Sequence, residues 1–441
     1  MSPKYLAILA ALPLVACDVR DTDAPQTETT QVAERDWNSE LGYQPMGEDN
    51  FADSMASNDA QYMSASRDGA AMDDGSEGAM DGTSTRGTEI ADAKERPIMQ
   101  AQVVLDRQGF GPGVIDGKMG ASTRNALEGF QEANDLEVTG ELDEETKQAL
   151  DEWSNIPATR VVTIPASWGE MAFRDIPDDP AKQAEMERMG YESLDEKIAE
   201  RFHTTAAVLK ELNPNGKPAG ATGAMASSSA TPSASASATP TPTPTPTGTA
   251  SASASASKAS DSFFTAGQQI RVPNIGADMI KPGSIQDKGW QQTLASLGVG
   301  TEQPKVARIV VDESEGWLKG YDADDNLVAM FTVTTGSTND PLPVGEWGIT
   351  GVGRNPPFSY QPDLFWDVPD DEEEQQLPPG PNGPVGVVWI DLTKEHYGIH
   401  GTSAPETIGR VQSHGCVRLT NWDAARLAGM VSTNTVVIFQ A

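Results

Sequence analysis

The stretch Ser413-His414-Gly415-Cys416-Val417-Arg418-Leu419, with His400-Gly401-Thr402 just upstream, gathers one of the two cysteines and two of the four histidines of a 441-residue chain. A third histidine, His396, stands four residues before His400. A cysteine nucleophile needs a base to form the thiolate and N–H donors to hold the oxyanion that follows. Residues 397–400 read as a strand end and residues 413–416 as a turn after a 12-residue excursion. In a sheet, such a loop returns its end beside its start and brings His400 next to Cys416. His400 is then the candidate base, and it later delivers the proton to a leaving amine. The N–H groups of Gly415 and Cys416 are candidate oxyanion donors, with Gly415 permitting the tight turn. Arg418, two residues on, is a candidate bidentate grip for a carboxylate.

Other chemistries fit this stretch less well. Zinc would want more ligands than His400, His414 and Cys416, and the chain has no His-Glu-x-x-His and no Cys-x-x-Cys. A redox thiol would want a resolving cysteine. A buried structural cysteine and histidine is the bland alternative.

Working outward, the texture from about residue 305 is that of alternating strands: 307–311, 316–321, 327–333, 387–390 and 436–439, with a short helix at 421–431. This predicts a mostly β domain over 305–441. The Pro-, Asp- and Glu-rich segment 356–384 is expected to cap or rim the site. His400-Gly401-Thr402, Ile408-Gly409 and the 413–419 stretch resemble the L,D-transpeptidase catalytic domain of the YkuD type. Supporting matches are Thr335-Gly336-Ser337, Pro343-Val344-Gly345-Glu346-Trp347 and Pro378-Pro379-Gly380-Pro381. The pattern departs at Val385, where the family usually has leucine, and in the acidic run 370–374. The resemblance implies a cysteine acyl transfer on peptidoglycan tetrapeptide stems that releases the terminal D-alanine and passes the thioester to an amine. That amine is a second stem (a 3-3 cross-link), a free D-amino acid or an outer-membrane protein. It also implies that Ser413 and His414 order the turn and the cysteine's surroundings, that Arg418 holds a stem carboxylate, and that no cofactor is needed. Hydrolysis of the same thioester, as a carboxypeptidase or amidase, and an inert wall anchor remain as alternatives.

Upstream, residues 96–153 predict three short helices. Ile98, Ala101, Gln102 and Leu105 recur at helical spacing, and Ala126, Leu127 and Phe130 mark a second helix with Ser122 or Thr123 as its N-cap. Gly109-Phe110, Ile115-Asp116-Gly117, Gly120, Thr123, Ala126, Phe130-Gln131, Thr139-Gly140, Leu142-Asp143 and Thr146 resemble the three-helix peptidoglycan-binding domain. In 160–275 a strand at 160–164, helices within 191–213 and a closing strand at 266–274 resemble a LysM-like α/β segment, without a recognisable opening strand beside the helices. His203, between those helices, is expected to be structural or exposed. The segment 216–260 is almost all Ala, Ser, Thr, Pro and Gly, so it can form no packed core. As an insertion it costs little in closure entropy. It reads as a surface loop or an interdomain linker.

The chain begins with a short apolar run ending in Leu14-Val15-Ala16-Cys17, too short to span a bilayer but fitting a signal-peptide core. These four residues resemble a bacterial lipobox, which implies a signal peptide over 1–17 and lipidation of Cys17. Cys416 is then a free thiol in an oxidising compartment. Residues 18–95 hold 19 acidic and 5 basic residues, too much charge for a core, and read as a disordered tether with a reach of roughly 50 Å. The expected location is the periplasm or cell envelope, anchored to the inner or the outer membrane. The net charge of -34 repels nucleic acid and anionic membrane surfaces. Partners are therefore expected to be peptidoglycan stems and a membrane reached through the lipid, not nucleic acid.

Overall fold

The computed structural model describes residues 90–221, 262–276, 280–369 and 372–441, all within one compact unit. Cys17 and the signal peptide, nearly all of the acidic tether and most of the low-complexity insertion lie outside the described residues.

The first unit is helical, as predicted. α1 (Pro97–Arg107) starts on a proline, whose missing N–H costs nothing at that position. It is followed by β1 (Phe110–Gly111), α2 (Ala121–Ala133) and α3 (Glu144–Leu150). Two buried glutamines order the connecting turns. Gln102 Oε1 accepts the Asp116 and Gly117 N–H groups, and its Nε2 donates to Thr123 Oγ1. Gln131 repeats the device, accepting from Thr139 and Gly140 and donating to Thr146 Oγ1. Because Thr123 is engaged by Gln102, it does not cap α2. The N-cap is Gly120.

The middle unit runs β2 (Thr159–Thr163), α4 (Pro180–Ala184), α5 (Leu194–Arg201), α6 (Ala206–Leu212) and β3 (Gln269–Pro273). β2 and β3 pair antiparallel with Val161 opposite Arg271. The strand that opens this unit is thus β2, placed well before the helices. Ser193 and Glu196 form a reciprocal capping box on α5, and Thr205 caps α6.

The C-terminal part begins with α7 (Lys288–Leu297) and continues through β4 (Arg308–Asp312), β5 (Trp317–Tyr321), β6 (Leu327–Thr332), β7 (Gly345–Arg354), β8 (Phe358–Tyr360), β9 (Gln375–Leu377), β10 (Val388–Leu392), β11 (Gly398–His400), β12 (Val417–Arg418), α8 (Asn421–Met430) and β13 (Val436–Gln440). Among the described residues the main sheet has nine strands, in the order β1-β6-β5-β4-β13-β7-β10-β11-β12. It is mostly β, as expected, but its first edge strand comes from the helical unit: Phe110 and Gly111 pair parallel with Met330 and Phe331.

The units share apolar interiors. Leu105, Phe110, Leu127 and Phe130 cluster with Leu327 and Met330, and Met99, Val103 and Ile115 cluster with Ile198, Leu209 and Ile270. A charged knot sits where all three parts meet. Asp106 on α1 takes two 2.9 Å hydrogen bonds from the Arg426 guanidinium on α8. It also lies 3.1 Å from His203 Nδ1, while His203 Nε2 reaches Leu297 O at 3.0 Å. The His203 ring stacks on Trp422 at 4.8 Å and 7°. His203 is therefore structural, fully buried between helices that the sequence pattern left unpartnered.

Candidate active site

Three neighbouring strands set the site. Ile390 on β10 faces Ile399 on β11, and Ile399 faces Val417 on β12; all three are fully buried on the core side. Alternation then puts Trp389, His400 and Arg418 on the opposite face, together with Gly398 and Cys416 one step further back. His400 lies opposite both Trp389 and Arg418. The sequence argument that the 12-residue excursion returns beside its start is thus realised as a parallel pairing of β11 with β12.

Gly398 is glycine for a reason of space. A Cβ there would sit 2.5 Å from the Trp389 indole. The indole lies over this position and stacks on the His400 ring at 5.5 Å and 23°. The Gly398 N–H faces the Cys416 sulfur, and the Cys416 thiol donates to His396 O at 3.8 Å.

His400 Nδ1 lies 2.7 Å from Gly401 O. A carbonyl only accepts, so Nδ1 carries the proton and Nε2 keeps a lone pair. Burial, and then the nearby Arg418 guanidinium, hold the ring pKa down to about 3, so the imidazole is neutral. Burial also pushes the Cys416 thiol up, against the lowering pull of the Gly398 N–H and Arg418. The pair therefore rests as a thiol and a neutral imidazole. Arg418 Nε is buried without a hydrogen-bond partner among the described residues. A half-buried arginine with an unsatisfied Nε–H is suited to an incoming anion.

The turn before Cys416 is tied down from within and from the segment that follows β6. Ser413 Oγ donates to Cys416 O at 2.6 Å, and Ser413 N–H to Thr335 O at 2.9 Å. Thr334 and Arg418 exchange backbone hydrogen bonds of 3.0 and 2.8 Å. Gly415 has φ +94°, and a Cβ there would strike the Tyr397 ring at 2.5 Å. His414 behaves differently from its neighbours. Its Nε2 meets Asp367 Oδ1 at 2.8 Å, with the rings of Phe365 and Trp366 at 5.1 and 6.0 Å. It joins the turn to the rim between β8 and β9 and does not approach the thiol by hydrogen bonding. The His396 ring is exposed, and only its carbonyl serves the site.

Sequence reasoning passed over Trp389, Tyr397 and Asp367. Trp389 had a signal in its strand-mate position one place from the buried Ile390; Asp367 had none. Among the described residues no three His, Cys, Asp or Glu side chains are grouped to hold a metal ion.

Comparison with known proteins follows the same outline. The family model of the L,D-transpeptidase catalytic domain, YkuD, matches residues 306–439, and that of the peptidoglycan binding domain matches residues 95–150. Proteins carrying the name L,D-transpeptidase YkuD are 49% identical to this chain in Bacillus licheniformis (over 33% of this chain and 73% of that protein) and 49% identical in Bacillus subtilis (26% and 54%). A solved L,D-transpeptidase from Mycobacterium smegmatis is 21% identical, with a TM-score of 0.25 over 30% of this chain and 58% of the other. The chain belongs to the L,D-transpeptidase family, with a YkuD catalytic domain at its C-terminal end and a peptidoglycan-binding domain ahead of it.

Proposed function

We propose that the chain is a cysteine-dependent transpeptidase acting on peptidoglycan tetrapeptide stems. The observation that carries this is the neutral His400, with its Nε2 lone pair, on the same sheet face as Cys416 and Arg418, whose buried Nε has no hydrogen-bond partner among the described residues. The Cys416 sulfur attacks the carbonyl at the L-centre of the third stem residue as His400 takes the thiol proton. The C–N bond to the terminal D-alanine breaks, and the same proton goes to the departing amine. An acceptor amine then attacks the thioester, and the thiol is regenerated. Arg418 holds a stem carboxylate, and the Gly415 and Cys416 N–H groups meet the oxyanion. Ser413 keeps the turn closed. The matched peptidoglycan-binding domain and the LysM-like middle unit favour work at the wall, with Cys17 as a lipid anchor in the cell envelope.

The test is incubation of the chain from Asp18 onward, and of Cys416→Ala, with purified disaccharide-tetrapeptide, read by mass spectrometry. Dimers joined through third residues, absent in the variant, are expected. Cysteine-dependent tripeptide alone would make the protein a carboxypeptidase. No cysteine-dependent product would leave a wall anchor.

A further inference from the structure

We infer that Glu200, in the middle unit, is a positioning residue for the active site, acting through Asn421 on the backbone that fixes His400. The inference rests on the catalytic role proposed above for His400. Asn421, the first residue of α8, is fully buried, and its amide is saturated by three separate segments of the chain. Nδ2 donates to Glu200 Oε1 at 2.7 Å and to Pro381 O at 3.0 Å. Oδ1 accepts the Val387 N–H at 3.1 Å.

That oxygen also fills the space left by two glycines. A Cβ on Gly401 would lie 2.3 Å from Asn421 Oδ1, and one on Gly386 would lie 2.0 Å from it. Gly401 is the residue whose carbonyl takes the His400 Nδ1–H and whose N–H reaches Val388 O at 3.3 Å. The Asn421 amide therefore backs the peptide that sets the tautomer and tilt of the His400 ring. Which way round that amide sits depends on its acceptors. Reversed, its NH2 would meet the Val387 N–H, donor against donor. Glu200 provides the shorter of the two acceptor contacts, and it comes from a different unit of the fold. The upstream unit thus completes the support of the catalytic histidine without touching the reacting atoms.

The test uses the full chain and the variants Glu200→Ala, Glu200→Gln and Ser296→Ala. Ser296 is the matched control: it takes the Lys197 ammonium at 2.7 Å and faces the Tyr191 hydroxyl at 3.3 Å, a group that also neighbours Glu200, and it makes no contact with Asn421 in the hydrogen bonds that hold this interface. Three quantities are read: kcat and KM on the tetrapeptide stem, the rate of Cys416 alkylation by iodoacetamide, and Tm. Glu200→Ala should lower kcat and alkylation about tenfold with KM changed less than about twofold. Glu200→Gln, which keeps the acceptor oxygen, should recover most of both rates. Ser296→Ala should lower Tm while leaving both rates near wild type. The inference is overturned if Glu200→Ala loses stability like Ser296→Ala but keeps its rates, or if Glu200→Gln is as slow as Glu200→Ala. A wild-type chain that turns over no stem would defeat the proposed function, and alkylation alone would then decide the role of Glu200.

Discussion

Replacing Asp106 by asparagine should loosen all three parts of the protein together. Asp106 and Arg426 are 1% and 4% exposed, and the two hydrogen bonds between them are both 2.9 Å. Removing one partner of such a buried pair leaves the other charge desolvated, at a loss of about 3–5 kcal/mol. In Asp106→Asn, Arg426 would retain the Asp423 carboxyl 3.8 Å away, which burial lifts to about 7 and so leaves only partly charged, and His203 would lose its carboxylate neighbour. With an unfolding entropy of ~2 cal/mol/K per residue over the roughly 300 residues described, the fall in Tm is about 5–8 °C. Differential scanning calorimetry measures it directly. Tryptophan fluorescence supplies a local probe, since Trp422 stacks on His203. The double variant Asp106→Asn/Arg426→Met should recover part of the loss, because it removes the stranded charge. Arg426 and His203 hold the Asp106 carboxyl well below the usual carboxylate range despite its burial. Its contribution is therefore full above the unfolded value of about 3.9 and fades as pH falls below it, so the variant should also be less acid-sensitive. A Tm within about 1 °C of wild type would refute the argument. So would two separate melts with the catalytic one unmoved, since the parts would then be independent.

Four further outcomes are expected. Alkylation of Cys416 by iodoacetamide should climb through alkaline pH with no thiolate plateau near neutrality, because burial raises the thiol and His400 stays neutral down to about pH 3; stopped-flow rates from pH 5 upward check this. Gly398→Ala should push the Trp389 indole off His400, lowering kcat and destabilising the fold by about 1–3 kcal/mol in a urea titration. Arg418→Met should raise KM for the tetrapeptide about tenfold or more through loss of the carboxylate contact, as steady-state kinetics would reveal. Between about pH 4 and 7 the folded chain holds protons on Glu200 and Asp423 that the unfolded chain has released, since burial lifts both carboxyls to about 7. Stability should fall as pH rises across that window, and Asp423→Asn should flatten the fall in pH-resolved denaturant melts.

The face that carries the candidate site was legible because its residues are rare and close in sequence, and because strict alternation places His400 and Cys416 on one side of paired strands. The strands 308–312, 317–321 and 436–440 were legible from the same alternation. β7 was not: Gly-Glu-Trp-Gly-Ile-Thr-Gly-Val-Gly-Arg has a glycine at every third position or so, and its strand character comes from neighbours on both sides. β1 carries no strand pattern of its own, and as a two-residue strand it exists only through pairing with β6. Buried charges were the least legible. Asp106 and Arg426 look like solvent-facing positions in a helical pattern, and their mutual hydrogen bonds make burial tolerable. His414 sat within the catalytic stretch, yet its partner Asp367 lies 47 positions away in a segment without regular spacing.

The strand that the helical unit lends to the catalytic sheet bears on how the chain can be cut. Phe110 and Met330 are 220 positions apart, so this edge is sealed by a contact of very long range, a slow step for any nascent polypeptide. A truncation at residue 306, where the catalytic match begins, would strip away that seal. β6 would then present open N–H and C=O groups beside Leu327 and Met330, both apolar and formerly covered. Such an edge is a template for pairing with another copy. Self-association at high concentration is the behaviour to expect of the excised fragment, and restoring residues 96–153 in trans would be the way to suppress it.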